Sequence, residues 1–148
     1  MGTSKDTEAW IVFCDGSWGT FGAEAAAVLV APSKVKTCYA VKLDFSCTNN
    51  IAEYEALLLG LQKLRAMGIR RAILKTDSQV IAGHMDKSSK ARDPKLKRYL
   101  DTVRRLEASF EGFSIKNIPR GENEHADLLA KSAAQGLPLP SEVFFEAS

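Results

Sequence analysis

Three short apolar runs with brief breaks between them, followed by one long helix-forming stretch, constrain the fold more tightly than anything else in the chain. Trp10-Ile11-Val12-Phe13-Cys14 ends in Asp15-Gly16-Ser17, Ala25 to Ala31 ends at Pro32-Ser33, and Cys38 to Phe45 alternates apolar with polar residues. Such runs, bounded by Gly, Pro and Ser, have the pattern of strands. A parallel pair needs a crossover of a dozen residues or more, so connections this short favour an antiparallel three-strand meander. Asp15 is expected at the end of the first strand, and Gly19 and Gly22 bracket a turn.

Asn50 to Met67 is rich in Ala, Leu and Glu and stops at Gly68, which predicts a helix. Arg71 to Thr76 is the next strand, Ser78 to Met85 a short helix, and Asp86 to Arg92 a polar loop. Asp93-Pro94 supplies an N-cap and a first-turn proline for a further helix, on which Leu96, Tyr99, Leu100, Val103, Leu106 and Phe110 keep helical spacing. Gly112 to Ile118 is a last strand. Glu124 to Gln135 is a last helix, capped by Asn123 and stopped by Gly136. The order βββαβααβα makes the chain α/β. Residues 1–8 are expected as a disordered lead, 9–136 as one domain, and 137–148, with Pro138 and Pro140, as a C-terminal tail or linker. Within that tail Val143-Phe144-Phe145 is the segment with apolar side chains to dock.

The 148 residues, 45% of them hydrophobic, suit one domain. Cys14, Cys38 and Cys47 are odd in number and lack metal-site spacing, which favours reduced thiols and an intracellular setting, cytoplasmic or nuclear. No apolar run approaches the roughly 20 residues of a membrane helix, and Met1 to Asp6 has neither a signal-peptide core nor a myristoylation pattern, so no membrane partner is expected. The net charge of +2 is small, but Lys87 to Arg105 carries eight Lys/Arg against Asp93 and Asp101.

Four acids stand at the ends of these elements: Asp15, Glu53 in Asn49-Asn50-Ile51-Ala52-Glu53, Asp77 in Thr76-Asp77-Ser78-Gln79, and Asp127 in Asn123-Glu124-His125-Ala126-Asp127. Each has a structural alternative. Asp15 could cap the Gly16-Ser17 turn and Asp77 could cap the next helix, while Glu53 and Asp127 could simply complement helix dipoles. Glu53 shares a face with Leu57, Gly60 and Leu64, whereas Glu55 lies about 200° round the axis and points elsewhere. Asp77 directly follows a strand, where α/β sheets place their ligands. Several carboxylates with no Cys/His ligand pattern suit Mg²⁺ or Mn²⁺ rather than Zn²⁺.

Taken with their flanks, Asp15-Gly16-Ser17, Thr48-Asn49-Asn50-Ile51-Ala52-Glu53, Thr76-Asp77-Ser78-Gln79 and Asn123-Glu124-His125-Ala126-Asp127-Leu128-Leu129-Ala130 resemble the ribonuclease H family. The segments Asn49-Asn50-Ile51-Ala52-Glu53-Tyr54-Glu55-Ala56-Leu57 and Ile118-Pro119-Arg120-Gly121-Glu122-Asn123 look like the ribonuclease H domain of plant gypsy-type retrotransposon polyproteins. The resemblance implies a five-stranded mixed sheet, three antiparallel strands followed by two parallel ones, flanked by helices. It implies an endonuclease for the RNA strand of RNA/DNA hybrids that leaves 5′-phosphate and 3′-hydroxyl ends. Two Mg²⁺ ions, replaceable by Mn²⁺, would be held by Asp15, Glu53, Asp77 and Asp127, with Asp15 bridging both. Gly16, Ser17, Asn49, Asn50, Gln79 and Arg120 would contact substrate. The domain is expected to be a monomer, with a reverse transcriptase domain of the same polyprotein as a candidate partner.

Two departures from the family stand out. The loop before the last helix has no Gly-His pair, leaving Arg120 to take part of that role, and His84 and His125 are expected to be structural or exposed. The extra helix and basic protrusion of some members are also missing. The basic run from Lys87 to Arg105 either compensates by contacting phosphates or is a solvated helix face. Because the fold also hosts other nucleases and inactive adaptors, a non-catalytic nucleic-acid-binding or scaffold module is the alternative reading.

Overall fold

The computed structural model describes residues 8–19, 22–45, 47–85, 91–134 and 143–147. The lead at 1–7, most of the polar loop at 86–90, the helix stop at Gly136 and the tail at 137–142 lie outside the described residues.

The strands are β1 (Trp10–Gly19), β2 (Gly22–Val30), β3 (Lys36–Leu43), β4 (Arg71–Thr76), β5 (Gly112–Asn117) and β6 (Val143–Ala147). The helices are α1 (Asn49–Ala66), α2 (Gln79–Met85), α3 (Pro94–Glu107) and α4 (Glu124–Ala134), the last preceded by a 3-10 turn at Arg120–Asn123. The expected five strands are all present: β1, β2 and β3 form the antiparallel meander, and β4 and β5 continue it in parallel on the β1 side. The full order is β5-β4-β1-β2-β3-β6. The sixth strand falls in the stretch read as a tail or linker. It pairs in parallel with β3, Cys38 opposite Val143 and Lys42 opposite Ala147.

Both faces of the sheet are covered. Val12 and Cys14 of β1, Ala25, Ala27 and Leu29 of β2, and Leu74 of β4 share one core with Leu57, Leu61 and Leu64 of α1, and α3, packed on α1, adds Val103 and Leu106 to it. Ala26 and Val28, on the opposite side of β2, face Ala126, Leu129 and Ala130 of α4. Ala25 to Leu29 is therefore buried on both sides, which explains its small, continuously apolar composition. At Gly60 an added Cβ would lie 2.7 Å from Val12 Cγ1, so a glycine lets α1 settle onto β1. Gly68, at φ 75°, ends the helix, with Gly68 N–H and Ile69 N–H donating to the carbonyls of Arg65 and Leu64.

The helix caps part from the sequence expectation at α4, where Asn123 was expected, and decide the alternative left open for Asp77 at α2. Thr48 caps α1, its Oγ1 accepting from Ile51 N–H at 3.2 Å, and this leaves Asn49 and Asn50 within the first turn. Ser78 caps α2, its Oγ accepting from Ile81 N–H at 3.2 Å, so Asp77 has no capping duty. Asn123 does not cap α4: its buried Oδ1 accepts no hydrogen bond. Asp93 does cap α3 as expected, accepting from Lys95 N–H at 2.8 Å. Among the described residues no helix is long and apolar enough to cross a membrane.

Candidate metal centre

β1 does not end at Asp15. Its hairpin with β2 continues through the Asp15–Ala26 pair to Gly19 opposite Gly22, while its parallel pairing with β4 stops at Cys14 opposite Thr76. Asp15 thus lies inside a strand at the point where one neighbour departs, and the space beyond the carboxyl end of β4 opens beside it. Its side chain is 5% exposed.

α1 brings Glu53 to the same place. Gly16 seats the helix: a Cβ there would fall 2.2 Å from the carbonyl carbon of Ala52, so no other residue permits this approach. The closeness lets Gly16 N–H donate to Glu53 Oε1 at 2.5 Å and fix that buried carboxylate. Glu55 points away, as its helix position predicts, and accepts from Tyr99 O–H.

Asp77 enters from the end of β4. Asn117 Nδ2 and Ile118 N–H both donate to Thr76 O, holding the segment just before it. Asn123 Nδ2 donates to Asp77 Oδ2 at 3.1 Å and to Cys14 O at 2.8 Å, tying Asp77 to β1 beside Asp15. One carboxylate oxygen from each of Asp15, Glu53 and Asp77 lies within 4.8 Å of the others. Asp127, half-buried in the first turn of α4, stands beside these three without joining their close group, its carboxyl interacting with that of Asp15.

Such crowding has an electrostatic consequence. Burial first, then the neighbouring Asp127 carboxyl and the Glu53 and Asp77 charges, push the Asp15 carboxyl up to about 10. Glu53 is also raised by burial, and the Gly16 N–H, Asp15 and the Arg120 charge oppose that rise. Asp15 therefore keeps a proton that a cation would displace. Burial drives the adjacent Cys14 thiol far upward, with Glu53 and Asp15 adding to it, so no thiolate is offered. A set of carboxylate oxygens without imidazole or thiolate fits Mg²⁺ or Mn²⁺.

The remaining candidates ring this cluster. Ser17 is half-buried, two residues beyond Asp15 on the same strand; Asn49 is exposed and Asn50 half-buried in the first turn of α1; Gln79 is exposed at the start of α2. Arg120 is exposed in the 3-10 turn, with its charge felt at Glu53. Gly16 is buried and its N–H is taken by Glu53. His125 is exposed, its Nε2 3.9 Å from Cys38 Sγ, whereas His84 is buried against Tyr54. The residue that sequence reasoning missed is Asn123: an amide preceding a helix has the signature of a cap, and only the tertiary placement of Cys14 and Asp77 reveals its other use.

Solved structures place this arrangement in the ribonuclease H class. RNase H1 from the halophilic archaeon Halobacterium salinarum superposes with a TM-score of 0.78 at 29% identity, covering 87% of this chain and 99% of that one. The N-terminal RNase H domain of a Mycobacterium tuberculosis protein gives a TM-score of 0.77 at 25% identity over 86% of this chain and 94% of the other. An LC11-RNase H1 in complex with RNA/DNA hybrid shares the fold with a TM-score of 0.74. Residues 13–133 match the family model described as reverse transcriptase-like, and the chain belongs to that family. In sequence, 86 residues are 37% identical to ribonuclease HI of Halobacterium salinarum, a match covering 58% of this chain and 43% of that protein. A bifunctional protein of Mycobacterium tuberculosis is 31% identical over 86 residues, which cover 24% of it. The matched stretch thus spans less than half the length of these two curated relatives.

Proposed function

We propose that the chain is an endonuclease that hydrolyses the RNA strand of RNA/DNA hybrids, with Asp15, Glu53, Asp77 and Asp127 holding two Mg²⁺ ions, or Mn²⁺ in their place. The observation that carries this reading is the convergence of Asp15, Glu53 and Asp77 within 4.8 Å, with Asp127 close enough to act on Asp15, at the open end of β4. Likeness to ribonuclease HI and to solved RNase H structures supports it. Bound divalent metal supplies activation of water and neutralisation of charge on the phosphate.

The chain's own residues do the rest. Gly16 N–H fixes Glu53, Asn123 fixes Asp77, and the buried floor of β1 excludes bulk water from one side of Asp15. Ser17, Asn49, Asn50 and Gln79 offer hydroxyl and amide groups for the sugar-phosphate backbone, including the 2′-hydroxyl that distinguishes the RNA strand. Arg120 adds positive charge for a phosphate. Water adds to phosphorus and the 3′ oxygen leaves, so the products carry 5′-phosphate and 3′-hydroxyl ends. The reading includes a reverse transcriptase domain in the same polyprotein as a partner, supported by the likeness of residues 49–57 and 118–123 to retrotransposon polyproteins.

A substrate panel tests this function: hybrid labelled on either strand, duplex RNA, duplex DNA and single strands, each with Mg²⁺. Cutting confined to the RNA strand of the hybrid is expected. Preference for a single strand or a DNA strand would replace the substrate class, and binding without cutting would make the chain a nucleic-acid-binding module.

A further inference from the structure

α2 is too short to stand alone. Seven residues fall well below the roughly 12–15 that an isolated helix needs, and only Ile81, His84 and Met85 of it are buried. Its position must come from what grips it, and the grip is concentrated at its carboxyl end.

His84 is 6% exposed, and its Nδ1 lies 2.6 Å from the hydroxyl of Tyr54, which is fully buried in α1. The two rings stack at 6.0 Å, and Tyr54 in turn stacks on Tyr99 of α3 at 5.8 Å. Arg104, also on α3, donates through Nη2 to His84 O at 3.3 Å and Met85 O at 2.9 Å, carbonyls that a helix end leaves without intrahelical partners. Its cation favours that end of the dipole, and Glu107 Oε2 at 3.3 Å steadies the guanidinium.

The places where this contact begins and ends matter most. Tyr54 is the residue after Glu53. α2 begins immediately after Asp77 and its capping neighbour Ser78. A hydrogen bond between Tyr54 and His84 therefore joins the helix that carries Glu53 to the helix that follows Asp77, and spans the two elements whose spacing sets the metal centre.

We propose that His84 is a positioning residue, which with Tyr54 and Arg104 forms a strut that sets the separation of Glu53 from Asp77 and the orientation of Gln79. The inference rests on the metal-centre reading of the acids. The strut acts at a distance: His84 lies five residues beyond Gln79, about 7.5 Å along the helix axis. It touches neither metal nor substrate.

Four proteins test it: the unmodified chain, His84→Phe, which keeps a ring but loses the hydrogen bond, His84→Gln, which can keep the bond, and Tyr54→Phe. Amide hydrogen exchange of α2 and the Ser78-Gln79 turn, Mn²⁺ affinity by paramagnetic resonance, and KM for hybrid are measured for each. In His84→Phe and Tyr54→Phe, exchange in α2 should quicken about three- to tenfold, the worth of one net hydrogen bond, with core amides of β1 and β2 unchanged. Mn²⁺ affinity should weaken roughly tenfold and KM rise, as for other groups that orient metal ligands, and His84→Gln should recover most of both. Faster exchange throughout the chain would reduce His84 to a stability contact and overturn the proposal. Unchanged Mn²⁺ affinity in His84→Phe, or no recovery in His84→Gln, would overturn it too. If the unmodified chain binds Mn²⁺ but cuts no hybrid, the function reading fails while exchange and metal affinity still decide the strut.

Discussion

Gly16 and Asp15 are neighbours with opposite relations to their surroundings. Gly16 is held by sterics: Gly16→Ala would drive a methyl into the Ala52 carbonyl, and backbone cannot give way as a flexible side chain does. A loss of about 3 kcal/mol or more is expected, seen as a lower denaturant midpoint. Asp15 is opposed by electrostatics. Its folded pKa, about 10, lies above an unfolded value near ~3.9, so the folded state binds more protons between those limits and Asp15 makes stability fall as pH rises through them. Asp15→Asn should therefore raise the Tm of metal-free protein at pH 8 by several degrees and at pH 4 hardly at all; each kcal/mol is worth roughly 2–4 °C in a domain of this size. Mg²⁺ should raise the Tm of the unmodified chain more at pH 8 than at pH 5, where protons compete. A scanning fluorimetry series over pH, with and without metal, checks both. Asp15 stands out in the sequence only together with the other three acids and their flanks, since alone it could cap a turn, and the family resemblance offers Gly16 as a substrate contact rather than as the seat of α1. The burial and mutual interaction behind the shift are not legible there, since they depend on three distant segments meeting.

Among the elements, strands and helices largely follow from apolar spacing, and α3 is the clearest case, with Leu96, Val103 and Leu106 buried on one face. Their caps were harder to read, because Thr48, Asn49 and Asn50 are all competent caps, as are Asp77 and Ser78. At α2 the choice follows tertiary structure, Ser78 capping while Asp77 is drawn to the cluster; at α1 Thr48 caps, the residue that stands just before the first turn. Asn123 shows the converse, a competent cap drawn off to bridge β1 and Asp77. Asn123→Ala should leave α4 intact and weaken divalent-metal affinity about 10- to 100-fold, as loss of an orienting partner does elsewhere. Calorimetric Mg²⁺ titration alongside circular dichroism would separate the two effects.

The sheet of the whole molecule extends further than periodicity could indicate. β6 follows two prolines and closes the β3 edge by a long-range parallel pairing, with Phe144 stacked on Tyr39 at 5.2 Å. Such a pairing leaves almost no trace in local sequence. Removing residues 143–148 bares the edge of β3, and exposed edges recruit other chains. The truncated protein should melt at a lower temperature and associate with rising concentration in sedimentation runs, yet cut hybrid normally when dilute, because β6 is at the far end of the sheet from Asp77. The most direct measurement of the central claim is cleavage of a hybrid labelled on its RNA strand, by the unmodified chain and by Asp77→Asn, in Mg²⁺, Mn²⁺ or EDTA. Metal-dependent cutting that EDTA stops and Asp77→Asn abolishes is the predicted result. Cutting that persists in EDTA, or that Asp77→Asn leaves intact, would contradict the assignment of these carboxylates to a metal centre.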